Sequence, residues 1–263
     1  MKHVFYVVFI ALCTMVGWSI QARADVQSIH SADNAIWAAL GATRYDYKEP
    51  GQTGNLGDRE LDWIASGAAG ISYLSTRNTY LTLEGDVLSG DANYKGAYLL
   101  APTTPLRGTT DERVWNADTK IGQGMALGSS FFIIPYAELG VRYWNRDLAK
   151  GQVEQYKNYD ALGGSMLQFS PFSSWIFSLY GAVGATFSPQ MQSDGVKYDL
   201  GSATMYKAGA KIGYDFAPRT EIFTTVDFDH FNYGQSAVIN SLYEPNSRTN
   251  EVATRVGLAY HFN

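Results

Sequence analysis

Ten stretches of this chain alternate in polarity with a period of two residues. They lie near 35–47, 60–75, 78–99, 111–127, 130–147, 155–170, 173–187, 202–217, 219–234 and 249–262. A period of two sends successive side chains to opposite faces of a β-strand, and a helix would scatter them around its circumference. In the last stretch Val252, Thr254, Val256, Leu258, Tyr260 and Phe262 share one side. Glu251, Ala253, Arg255, Gly257, Ala259 and His261 share the other. Many of the stretches reach ten residues, whereas strands of soluble proteins usually have five or six. About ten residues tilted by ~40° cross the apolar band of a membrane. No segment after the N-terminal leader approaches the roughly 18 uninterrupted apolar residues of a spanning helix. The fold class expected is therefore all-β: a transmembrane antiparallel up-and-down β-barrel of about ten strands over residues 35–263.

The connections support this. Short ones (Ser75–Asn78, Gly128–Ser130, Ser170–Ser173, Ala217–Thr220) alternate with longer ones (Lys48–Arg59, Leu100–Thr110, Leu148–Glu154, Ser188–Gly201, Gly234–Asn250). Pro, Gly, Asn, Asp and Ser concentrate in both sets, as turns require. Short periplasmic turns and long outer loops give this alternation, and an even strand count puts both termini in the periplasm. Aromatic residues make up 14% of the chain and gather near strand ends. Tyr45, Tyr47, Trp115, Tyr143, Trp144 and Phe228 are expected at one membrane rim, and Tyr73, Trp175, Tyr214, Phe216, Tyr260 and Phe262 at the other.

Residues 1–24 read as a signal peptide. Lys2 is the positive start, Val4–Ile20 the apolar run, and Ala22-Arg23-Ala24 a small-x-small cleavage site. Residues 25–34 read as a polar lead-in. The single cysteine, Cys13, leaves with the leader, so disulfides and thiolate metal sites are not expected. The formal net charge is −5, and losing Lys2 and Arg23 takes it to −7. An acidic chain without basic runs has no electrostatic reason to bind nucleic acid.

With the apolar faces toward lipid, the opposite faces gather charge. Glu84, Asp86, Asp118, Lys120, Glu138, Arg142, Lys207, Lys211, Asp215, Asp227 and Arg255 are assigned to the interior. Glu251 and Asp229 share those faces. Their mixed signs predict pairing across the lumen, because a buried unpaired charge is costly. Gly140, Gly209, Gly213, Gly257 and Ala259 leave room there for long side chains.

Catalytic patterns are sparse. The most enzyme-like stretch is Asp227-Phe228-Asp229-His230, with Asp86 and Asp91 near the same end of the barrel. A carboxylate pair facing an Asp/His pair could activate water, and the omptin proteases, also ten-stranded, work at such a site on their outer rim. Asp229 and His230 are consecutive, however, so a regular strand points them to opposite faces. Lipid-modifying barrels pair a serine with a histidine, but neither His30 nor His261 has the setting for this, and there is no G-x-S-x-G elbow. Calcium-loop, zinc and P-loop patterns are absent, so neither a metal nor a cofactor is expected.

The order Arg255-Val-Gly257-Leu-Ala-Tyr260-His-Phe262 resembles the closing signal of bacterial outer-membrane β-barrels, in which Gly257, Tyr260 and Phe262 are the assembly positions. Asn263 departs from it by one residue. Further likeness is to a proteobacterial branch of small barrels, through Tyr45–Pro50, Pro135–Tyr143 and Asn250–Phe262. The resemblance implies a fold and a Gram-negative outer-membrane location. The partners it implies are outer-membrane lipid and lipopolysaccharide, with the barrel-assembly machinery during biogenesis. It brings no activity. The expected role is non-enzymatic: envelope structure, surface contact or minor passage of small solutes. The alternative is an outer-membrane hydrolase, omptin-like or lipid-modifying, acting at the extracellular rim.

Overall fold

The computed structural model describes residues 26–51, 57–98, 101–148, 152–172, 174–193, 195–239 and 243–262. The expected signal peptide and the terminal Asn263 lie outside the described residues. Among the described residues twelve strands form one sheet: β1 (Ala35–Lys48), β2 (Arg59–Leu74), β3 (Thr79–Tyr98), β4 (Ala101–Gln123), β5 (Met125–Ala126), β6 (Phe131–Leu148), β7 (Gln152–Phe172), β8 (Trp175–Ser193), β9 (Val196–Asp199), β10 (Thr204–Ala217), β11 (Thr220–Tyr233) and β12 (Ser247–His261). The short β5 and β9 pair only with β6 and β8. The other ten close a ring, with β8 meeting β10 directly and β12 meeting β1 from Ala35↔His261 to Lys48↔Arg248. All pairings are antiparallel, and closure pairs each of the ten on both sides through the ring itself.

The outside of the ring is apolar. Leu40 is 76% exposed, Leu83 59%, Leu139 58% and Leu258 56%, and Val183, Ile212, Val226 and Val256 face out with them. An apolar surface running around the whole barrel has water as the wrong solvent and lipid as the right one. Tyr73, Trp175, Tyr214, Phe216, Tyr260 and Phe262 are exposed around the terminal end, as expected. The other belt needs correction. Trp115 and Phe228 face outward, but Tyr45, Tyr47 and Trp144 are almost fully buried in the lumen. Strand geometry requires this for Trp144: consecutive Tyr143 and Trp144 cannot share a face.

Two expected connections and the lead-in also differ. Residues 101–110 are strand, paired with the upper half of β3. Pro105 is tolerated there because β4 meets β6 only from Asp111 onward, so this part of β4 is an edge. Part of the expected Ser188–Gly201 loop is the β8–β9 hairpin. The lead-in is ordered: Val26–Ala32 form a helix, α1, seated in the terminal end of the barrel. Ile29 is fully buried in a cluster with Leu74, Tyr80, Phe132 and Ile134. The side chain of Asn34 donates to the carbonyls of His30 (2.8 Å) and Leu74 (3.1 Å) and accepts from the Leu74 N–H (2.9 Å), tying helix to strand. A single apolar anchor plus one asparagine is too short a pattern to show periodicity.

Candidate functional site

The lumen is the only part of the fold where polar chemistry is concentrated and enclosed, among the described residues. It is built in three layers above one another. The first is α1 and its apolar cluster. Gln168 donates to the Asp33 carboxylate just above (2.8 Å), which joins this plug to the barrel wall.

The second layer is ionic. Lys207 Nζ lies 2.6 Å from Glu138 and 3.3 Å from Asp118. Lys211 pairs with Glu221 at 2.6 Å, and Lys120 pairs with Glu84. Arg255 bridges Asp227 (3.2 Å) and Asp86 (3.8 Å). Asp215 approaches His261 at 4.0 Å. These groups come from six strands, and all of them but Asp215, Glu221 and His261 line a cavity of about 200 Å³. Asp215 and the nine assigned side chains that line the cavity lie on the lumen side of their strands, as Arg142 does in the next layer. Glycine makes two of the contacts possible: a Cβ on Gly140 would collide with the carboxylates of Asp118 and Asp160, and one on Gly209 with the Tyr180 ring.

The third layer is aromatic and carries two buried arginines. Arg142 pairs with Glu251 at 2.5 Å and stacks 4.3 Å from the Phe231 ring. Arg146, 1% exposed, lies 4.3 Å from the Tyr47 ring centre and 5.2 Å from that of Trp144. Its guanidinium pairs with Glu60 (2.8 Å) and Glu154 (2.7 Å), and Glu49 (3.6 Å) and Glu112 (3.9 Å) complete a ring of carboxylates. Trp144 donates its indole N–H to Glu112, and Thr110 its hydroxyl to Glu60 (2.9 Å). Tyr156 donates to Glu244 (2.6 Å), so the segment before β12 is tied into the same centre.

Sequence reasoning missed this centre. Alternation does mark it, since Arg146 shares the inward face of Arg142 and Glu138. Glu154 falls in an expected loop, however, and the aromatic-belt pattern assigns Tyr45, Tyr47 and Trp144 to the lipid rim. Glu49 and Glu244 lie in loops, where no periodicity assigns a face.

Burial pushes the Glu49 carboxyl up to about 8, against the pull of Arg146, with Asp58 and Glu154 adding repulsion. Burial also raises Glu244 well above the usual range, reinforced by Glu49 and Glu154. Asp58 is raised by burial too, opposed by its hydrogen bond with Tyr94. The sign follows from linkage. A carboxyl held protonated in the folded state but free to ionise in the unfolded chain makes folding less favourable as pH rises. The loss runs from about 4.5 to about 8 for Glu49 and is complete above that. Amide protection around Glu49 and Glu244, taken relative to the base-catalysed intrinsic exchange rate at each pH, is therefore expected to be lower at pH 9 than at pH 6. Glu244→Gln should remove most of that loss of protection. Protection that stays constant with pH in the wild type would contradict the protonated state of these loops.

The enzyme-like stretch is not assembled as a single site. Register along β11 is unbroken between Thr220 and Tyr233. Asp227 and Asp229 line the lumen cavity. His230 faces outward, where its Nδ1 is 2.7 Å from Asn250 Oδ1 and its ring lies against Tyr206. Asp86 is inside with Arg255, while Asp91 is exposed opposite Asp111. Two groups of three acidic or histidine side chains come close enough to share a cation: Asp118, Glu138 and Asp160, and Asp215, Glu221 and His261. Lys207 and Lys211 already reach into them.

No protein-family model matches the chain, and no curated protein sequence matches it. Solved structures do. The outer membrane protease OmpT from Escherichia coli superposes with a TM-score of 0.58 at 12% identity, covering 88% of this chain and 97% of its own. Neisserial surface protein A gives 0.36 at 10% identity over 86% of this chain and 97% of its own. The translocator domain of the autotransporter NalP from Neisseria meningitidis gives 0.39 at 10% identity over 99% of both chains. At such identities the likeness is one of fold, and its substance is the OmpT overlap: a closed ten-stranded barrel.

Proposed function

Starting from the fold of the bacterial outer-membrane β-barrels, we propose that this chain is a non-enzymatic outer-membrane barrel whose lumen is a structural plug. The observation that carries the reading is the three successive layers of side chains in the lumen. Among the described residues a helix, a layer of ion pairs and a layer of stacked aromatics around Arg142 and Arg146 follow one another along the lumen, and the cavity between them is about 200 Å³. Ionic networks are more often structural than catalytic, and a barrel of ten strands lies between the roughly eight that side chains can fill and the roughly sixteen that leave an aqueous channel. In this reading the chain contributes to envelope integrity and surface contact, with phospholipid and lipopolysaccharide around it and the assembly machinery inserting it. The termini and short turns face the periplasm.

The test is electrical. Purified protein in planar bilayers should give no steady conductance steps under neutral conditions. Large, stable steps from the wild type would overturn the plug. The hydrolase alternative has its own signature: turnover of an exposed peptide or lipid that vanishes in Asp229→Ala or His230→Ala while the barrel stays folded. The outward position of His230, away from Asp227 and Asp229, speaks against that outcome.

A further inference from the structure

The strand register reveals a row of like charges on the outer wall. Arg248 of β12 stands directly opposite Lys48 of β1, Lys48 opposite Arg59 of β2, Arg59 opposite Lys95 of β3, and Lys95 opposite Arg107 of β4. Five adjacent strands thus each place one cation in a single register row, roughly 4.8 Å from strand to strand. All five follow the parity of the lipid-facing residues of their strands, and four of the five are exposed. Like charges directly opposite one another destabilise a sheet, and here that happens four times in succession.

The protein supplies little to offset it. Asp46 reaches Lys48 at 3.1 Å and Arg59 at 3.4 Å. Among the described residues no carboxylate forms an ion pair with Lys95, Arg107 or Arg248. The row borders a surface groove of about 750 Å³ to which Lys48, Arg59 and Arg248 all contribute. Below it on the same wall are Trp63, 59% exposed, and Leu40, 76% exposed. The terminal end has no counterpart: its described basic residues outside the lumen are Arg77 and Arg219, both in turns.

We infer that this row is a binding site for phosphorylated lipid headgroups at the loop-end membrane surface. A lipid is the occupant that meets both halves of the surface, with phosphate on the cations and acyl chains on the apolar wall beneath. Phosphate oxygens placed between neighbouring strands would convert four repulsive contacts into attractive ones. The site takes any phosphate-bearing membrane lipid, with phosphomonoesters favoured by their greater charge.

The inference rests on the membrane reading of the barrel, and its test keeps the two apart. Protein in zwitterionic micelles is titrated with short-chain phosphatidic acid, and bound lipid is counted by native mass spectrometry. Folding is followed in parallel by the heat-dependent shift in gel mobility. Wild type should bind. The Arg59→Ser/Lys95→Ser/Arg248→Ser variant should bind roughly a hundredfold more weakly, and Arg77→Ser/Arg219→Ser as wild type. If the triple variant does not fold, Arg248→Gln alone should still weaken binding roughly fivefold. Heat-modifiable wild type that ignores the lipid, or variants that bind it equally, would overturn the site. A wild type with no heat-modifiable form in micelles would instead overturn the membrane reading beneath it. Inorganic tripolyphosphate binding as tightly as the lipid would overturn the choice of occupant.

Discussion

Replacing Arg146 with alanine is expected to cost the barrel about 3–5 kcal/mol, the range for breaking a buried ion pair from one side. Arg146 is the cation that Glu60 and Glu154 contact directly, with Glu49 and Glu112 just beyond. Glu60 and Glu112 have no exposed side-chain surface, so water cannot take over the role of the guanidinium. The loss is also steric, because the guanidinium fills the space between Tyr47 and Trp144. The measurement is the denaturant midpoint for loss of the heat-modifiable form, compared with wild type. Arg146→Met combined with Glu60→Gln and Glu154→Gln should recover part of the loss, since removing both sides of a buried pair is far cheaper than removing one. A stability for Arg146→Ala within about 1 kcal/mol of wild type, the value typical of an exposed pair, would mean that the centre is wet.

The second large effect belongs to the opposite face of the same wall. Val256→Arg is expected to destabilise the folded barrel by about 2–4 kcal/mol, the depth-dependent cost of an arginine near the bilayer midplane. Val256 is 54% exposed, pairs with Leu40 on one side and Thr224 on the other, and has lipid as its neighbour in this fold. One residue earlier, Arg255 already places a guanidinium in the wall at no such cost, because it points inward to Asp86 and Asp227. The pair makes a sharp comparison. Arg255→Val should also destabilise, by stranding two carboxylates, while in a soluble barrel Val256→Arg would be nearly neutral. Refolding into vesicles with denaturant titration reads both. Equal stability of Val256→Arg and wild type would mean that the outer face does not meet lipid.

The opposite facing of Arg255 and Val256 marks what the sequence shows by itself. A period of two assigns a face to each residue once a strand is long enough, because adjacent Cβ atoms must diverge. That reasoning located ten wall strands, set the apolar side outward and sent all eleven interior charges inward. It also separated Asp229 from His230, since no bulge interrupts β11. Where alternation was overruled by a preference for aromatic belts, it failed: Tyr45, Tyr47 and Trp144 turned out to be lumen residues.

The remainder depends on positions that have no period. Which cation meets which carboxylate is set by distance across the barrel, as between Arg142 and Glu251, 109 residues apart. The helix that enters the terminal end is held by Ile29 and Asn34, two residues in a short polar segment. Glu49 and Glu244 join the arginine centre from loops, whose backbone leaves side-chain direction open. The outer row from Arg248 to Arg107 exists only through register, for a slip of one residue would turn each of its cations to the other face. Local alternation determines the face of a residue, because it follows from covalent geometry within one strand. Partnership between strands is decided by closure of the ring, because that alone sets the distances at which charges act.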